Sequence, residues 1–221
     1  MQRVIVSEKT LEVNVCSDLL GQIRRLPGCS RAFWMGMKQK QEALNGIDEL
    51  IMNVPAGVHL ALQFKAPRPT PPDGYPFYFT INERQHGHLH RLAMTRPQAV
   101  HYVFPHYNTF TSMRMVSPDL LAQTYFLAVA HVGRLAPAPN KRGSHTVESC
   151  PPAVLIYSDL VEMELEPAAR VVERILADGP TDALLDHQTL RGWLLGLYEE
   201  EQHNPWAIGQ RLRGFSTVCV G

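Results

Sequence analysis

Of the 221 residues only four are cysteine, at positions 16, 29, 150 and 219, and no two form a Cys-x-x-Cys pair. That spacing excludes a zinc ribbon, and a disulfide framework is not expected at this length. No stretch approaches the roughly 20 apolar residues that cross a bilayer, and the first residues carry no long apolar run of a signal peptide. A cytoplasmic protein with free thiols and no membrane association is therefore expected. There is no Gly-rich phosphate loop and no Gly-x-Ser-x-Gly elbow, which argues against a nucleotide-hydrolysing or serine-nucleophile enzyme. Net charge is zero as well, yet 45% of residues are hydrophobic, so a disordered chain is excluded.

What is present reads as alternating helices and strands. Leu11, Val15, Leu19, Ile23 and Leu26 recur at helical spacing, with Ser7 as a cap and Pro27-Gly28 as a stop. A second helix is expected over Lys38–Asn45, closed by Gly46. Strands are expected at Ile47–Met52, Val58–Lys65, Phe77–Ile81 and Ala99–Phe104, with a helix over Glu83–Met94 before the last of them. The near-continuous apolar start of Val58–Lys65 marks a central strand buried on both faces. Five prolines between Ala66 and Pro76 exclude regular structure there. Pro118–Leu135 starts like a helix, although Tyr125–Val132 is apolar enough for a strand. Strands at Val154–Tyr157 and Leu160–Glu166 and helices at Pro167–Ala177, Leu190–Glu201 and Trp206–Leu212 complete the pattern.

Charge is unevenly spread. Residues 1–157 hold 16 Lys/Arg against 10 Asp/Glu, whereas residues 158–221 hold 5 against 11. A mildly basic core domain over 1–157 and an acidic C-terminal α+β segment over 158–221, packed on that core, are expected. Trp193, Tyr198 and Trp206 in the acidic segment suit docking of a protein partner or a second copy.

The polar residues that carry chemistry sit on the first two of those strands. Asp48 follows Gly46-Ile47, and the next strand ends in Gln63-Phe64-Lys65. Strand alternation puts Gln63 and Lys65 on one face and Phe64 on the other, and a hairpin brings Asp48 beside them. Asp and Gln offer hard oxygen donors suited to Mg²⁺, and a neighbouring lysine can orient water or offset phosphate charge. Glu42 is a further carboxylate on the preceding helix.

Gly46-Ile47-Asp48 followed by Gln63-Phe64-Lys65, within this element order over residues 38–105, resembles the PD-(D/E)xK nuclease superfamily. Its Mrr-type branch, with Gln-x-Lys for Glu-x-Lys, is the nearer likeness. The resemblance implies an α/β restriction-endonuclease-like core, a central mixed sheet flanked by helices, with the C-terminal α+β extension outside it. It also implies catalytic Asp48, Gln63, Lys65 and Glu42, with Asp48 and Gln63 on Mg²⁺ or Mn²⁺ and Gln85 as a polar residue at the start of the next helix. The function expected is a magnesium-dependent endonuclease, a DNA-binding hydrolase of the kind used in antiviral defence. The alternative is a catalytically degenerate nuclease-fold scaffold or nucleic-acid-binding subunit of a larger complex. Gln63 in place of an acidic ligand, and near-zero net charge against the need to neutralise phosphates, favour that alternative.

Two weaker patterns remain. His86-Gly87-His88-Leu89-His90 lacks the glutamate of a His-Glu-x-x-His zinc site and is expected to be surface or nucleic-acid-contacting. The aromatics Phe77, Tyr78, Phe79, Tyr102, Phe104 and Tyr107 are expected mainly as core, because aromatic residues favour strands.

Overall fold

The computed structural model describes residues 5–37, 46–52, 58–68, 76–137, 143–158, 161–177 and 185–186. Helix α1 (Glu8–Ile23) starts where the Ser7 hydroxyl accepts the Thr10 N–H, and it buries Leu11, Val15, Leu19 and Ile23 on one stripe. Strands β1 (Phe33–Gly36), β2 (Glu49–Met52) and β3 (Val58–Phe64) follow, then β4 (Phe77–Asn82), helix α2 (Glu83–Ala93) and β5 (Val100–Pro105). A short helix α3 (Phe110–Val116) and a single 3-10 turn (Leu120–Gln123) lead to β6 (Thr124–Ala128) and the one-turn helix α4 (Val129–Val132). Next come β7 (Ser144–Cys150), β8 (Ala153–Ile156), β9 (Val161–Glu164), β10 (Glu166–Pro167), helix α5 (Ala168–Ala177) and β11 (Leu185–Asp186).

The main sheet is mixed, in the order β1-β2-β3-β5-β6-β10. β1, β2 and β3 form an antiparallel meander, with Trp34 opposite Ile51 and Ile51 opposite Leu60. β5 runs parallel to β3, with Ala61 opposite Val100, after a crossover that contains α2. β11 pairs with the first two residues of β3. Successive residues of β3 feed opposite layers, as its apolar run requires. Leu60, Leu62 and Phe64 meet α1 and α5, whereas Ala61 shares its cluster with Tyr102, Phe104, Phe79 and Leu89 of α2. Full burial of such Leu or Phe side chains is worth about 1.5–3 kcal/mol each.

A second, antiparallel sheet has the order β4-β7-β8-β9. The strand expected at Phe77–Ile81 therefore forms, but it leaves the main sheet and pairs with β7. The helical reading of Pro118–Leu135 is replaced by the 3-10 turn, β6 and α4, because Tyr125, Phe126 and Leu127 pair with β5. Residues 165–172 are built into the core: Leu165, Ala168, Val171 and Val172 are all buried there. Among the described residues no helix is long and apolar enough to cross a membrane. The expected helices at Lys38–Asn45, Leu190–Glu201 and Trp206–Leu212, together with Trp193 and Tyr198, lie outside the described residues.

Candidate metal centre

The β2–β3 ladder ends at Asp48. Its N–H donates to Leu62 O at 3.1 Å, and its carbonyl accepts the Met37 N–H at 2.8 Å. Beyond that point the Asp48 carboxylate, rather than a backbone carbonyl, accepts the Phe64 N–H at 2.6 Å. The same oxygen, Oδ2, accepts Gln63 Nε2 at 2.5 Å. Asp48 and Gln63 are almost fully buried, 2% and 1% exposed, so these charge-assisted bonds are formed away from water.

Gly46 explains how the fork closes. Its φ of +74° favours glycine, and a Cβ there would stand 2.7 Å from Gln85 Cγ and 3.1 Å from Gln85 O. The missing side chain lets the start of α2 come against the fork. Asn82 caps that helix, accepting the Gln85 N–H at 3.1 Å. Gln85 then links the two remaining polar residues: its Nε2 donates to Gln63 Oε1 at 2.8 Å, and its Oε1 accepts Lys65 Nζ at 2.7 Å. Asp48, Gln63 and Lys65 are thus joined in one hydrogen-bonded chain through Gln85. Gln63 faces Asp48 with its amide nitrogen, so it steadies that carboxylate as a donor. Ligation by its oxygen requires the amide to turn over.

Two residues that the sequence did not single out complete the cluster. Glu8 and Glu12, four apart on the first turns of α1, share a helix face. Carboxylate oxygens of Glu8, Glu12 and Asp48 all lie within 4.8 Å of one another. Glu8 also accepts the Ala66 N–H at 3.2 Å, which ties α1 to the chain just past Lys65. Lys9 Nζ donates to Glu12 Oε2 at 2.6 Å and to Glu49 Oε1 at 2.8 Å. Burial works against the Lys9 charge, but its hydrogen bonds to Glu12 and Glu49 outweigh that and raise its pKa above the ordinary lysine value. Burial raises the Glu49 pKa from its ordinary value, with Lys9 pulling the other way. Glu42, the glutamate read from the sequence, lies outside the described residues.

Three hard carboxylates so close fit a small divalent cation. Magnesium–oxygen distances of about 2.0–2.1 Å place neighbouring ligands about 3 Å apart, so modest side-chain adjustment brings these oxygens into one shell. The histidines do not compete for that role. His86 is 2% exposed rather than on the surface, with Nδ1 3.0 Å from Tyr102 Oη and Nε2 2.7 Å from Gly133 O. A carbonyl at Nε2 requires N–H there, so Nδ1 accepts the tyrosine proton and both nitrogens are used. Among the described residues, Glu8, Glu12 and Asp48 are the one group with metal-holding geometry. Comparison with protein-family models, curated proteins and solved structures finds no match.

Proposed function

We propose that the chain is a divalent-metal-dependent hydrolase of DNA phosphodiesters with a restriction-endonuclease-like core. The observation that carries this reading is the meeting of Glu8, Glu12 and Asp48 at the β2–β3 fork, with Lys65 tied to the same fork through Gln85 and Gln63. Element order supports it as well: α1, an antiparallel meander β1-β2-β3, then α2 and β5 parallel to β3.

In this reading Asp48, Glu8 and Glu12 hold a Mg²⁺ or Mn²⁺ ion. The bound ion supplies a Lewis acid for the phosphoryl oxygen and lowers the pKa of an attacking water. Asp48 is fixed for that task by the Phe64 N–H and the Gln63 amide. Lys65 brings a positive charge to the scissile phosphate and orients the attacking water, while Gln85 sets the position of its ammonium. Exposed Arg68, three residues further on, adds a positive charge for a neighbouring phosphate.

The second reading is a nuclease-fold subunit without hydrolytic activity. It is favoured by Gln63, which gives the centre one carboxylate fewer and presents its amide nitrogen to Asp48. A cleavage assay separates the two. Protein incubated with single- and double-stranded DNA and Mg²⁺ or Mn²⁺ is expected to cut, and to stop on addition of EDTA or on Asp48→Ala. Absence of cutting of DNA or RNA under either metal would remove the hydrolase reading and leave the scaffold.

A further inference from the structure

We propose that Lys9 is a resident cation, its ammonium holding the position between Glu12 and Glu49 that a second metal ion would otherwise take. The centre then accepts a single divalent ion. This rests on the metal-centre reading above and specifies how many ions that centre admits.

Glu12 stands between two cation positions. One of its oxygens belongs to the cluster with Glu8 and Asp48, and Oε2 accepts Lys9 Nζ at 2.6 Å. On the far side of the ammonium, Glu49 Oε1 stands at 2.8 Å. A carboxylate shared by two cations is how paired-metal hydrolases hold ions roughly 3.5–4 Å apart, and here a primary amine fills one of the two places. Glu49 itself points to a cation seat. Its side chain is 0% exposed, and Oε2 has no hydrogen-bond partner among the described residues. A buried carboxylate with one oxygen unsatisfied is costly unless a positive charge faces it. Gly36 leaves the room, since a Cβ there would come within 3.2 Å of both Glu49 oxygens.

Charge balance leads to the same count. Four carboxylates, Glu8, Glu12, Asp48 and Glu49, gather around the ammonium of Lys9. Three negative charges remain, which one divalent ion reduces to one. A second ion would put excess positive charge into a largely buried cluster unless Lys9 left. Lys9 reaches its place from solvent, with its side chain 61% exposed. Shortening it therefore opens a water-filled approach to Glu12 and Glu49 without removing core packing.

The test is Mn²⁺ titration of the full chain by calorimetry, with electron paramagnetic resonance reporting on ion pairs. Wild type should bind one ion and give an isolated-Mn²⁺ spectrum. Lys9→Ala should bind two and show spin coupling, and adding Glu49→Gln to it should return the count to one. Should Lys9→Ala not fold, Lys9→Ser is titrated in its place with the same expectation. Two ions in wild type, or one in a folded Lys9 variant, would overturn the role of Lys9 while leaving the metal centre standing. No bound ion in wild type would overturn the metal-centre reading, and this inference with it.

Discussion

Two polar clusters are buried in this protein, and they are built on opposite principles. At the β2–β3 fork the groups are charged: Asp48, Glu12 and Glu49 are each 6% exposed or less and face Lys9, backbone N–H groups and the Gln63 amide. Between the two sheets the groups are neutral. His106 is 6% exposed, bonds Ser149 Oγ at 3.0 Å and stacks on Phe77 with ring centroids 4.7 Å apart. On the opposite face of the main sheet, His101 is fully buried against Phe126, with Arg174 Nη2 3.2 Å from Nε2. Burial pushes both histidines down to about 3, assisted by Arg174 at His101. A neutral imidazole among aromatic rings is packing material. A carboxylate cluster held open by a lysine stores electrostatic free energy that a metal ion can release. Burial alone therefore does not set the two apart; the sign and compensation of charge do.

The sharpest way to break this contrast is at Asp48. Asp48→Ala should weaken Mn²⁺ binding at least about 100-fold, roughly 2.7 kcal/mol, as read by calorimetry. His106→Gln should leave it within about twofold. Equal losses in both variants would mean that the two clusters are not distinct in kind.

Acid should act next most strongly, and at the two buried histidines, His101 and His106. A base whose folded pKa lies below its unfolded value leaves full stability above about pH 6.5, and stability is lost as pH falls toward about 3. His101 and His106 should each cost up to about 1.4 kcal/mol per pH unit within that window. Urea denaturation at pH 7, 6 and 5 reads the slope, and His106→Phe should remove close to one proton from it. An unchanged slope would mean that His106 is solvated in the folded chain.

Gln63→Glu probes the fork with a smaller effect. It places a second carboxylate where an amide now donates to Asp48, and should destabilise the metal-free protein by about 1–2 kcal/mol. Mg²⁺ should restore the melting temperature and raise it further than in wild type. Without that recovery, Gln63 does not face the metal. The smallest effect belongs to Arg174→Met. It removes the two-pronged 2.7 Å pair with Glu166, half-exposed on both sides, and should cost about 1 kcal/mol. It also removes a positive charge that holds the His101 pKa down, so the acid loss should still begin near pH 6.5 but level off at a higher pH than before.

Much of the fork was legible in the sequence because its signals are local. Spacing and a serine cap define α1, an apolar run defines β3, and alternation puts Gln63 and Lys65 on the face opposite Phe64. Gly46 before Asp48 reads as a helix stop, and the structure uses it for both its φ and its contact with Gln85. What escaped was non-local. Glu8 and Glu12 look like ordinary solvent-facing helix residues until α1 docks beside β2. Phe77–Ile81 has strand preference, but preference does not choose a partner, and its partner is β7. Ser144–Cys150 was missed because only alternate residues are buried in a polar strand. α3 was missed because it buries no residue and is held by the Thr109–Ser112 capping box, with no apolar stripe to announce it.

The central claim, that the charged fork is the reactive place and the buried His106 is scaffold, is tested most directly by one cleavage assay. Wild type, Asp48→Ala and His106→Gln are incubated side by side with DNA and Mg²⁺, and single-turnover rates are measured. The expected result is cutting by wild type and His106→Gln at rates within a few-fold, and a loss of about a thousandfold or more, roughly 4 kcal/mol, in Asp48→Ala. Cutting that survives Asp48→Ala, or that is lost in a folded His106→Gln, would contradict it.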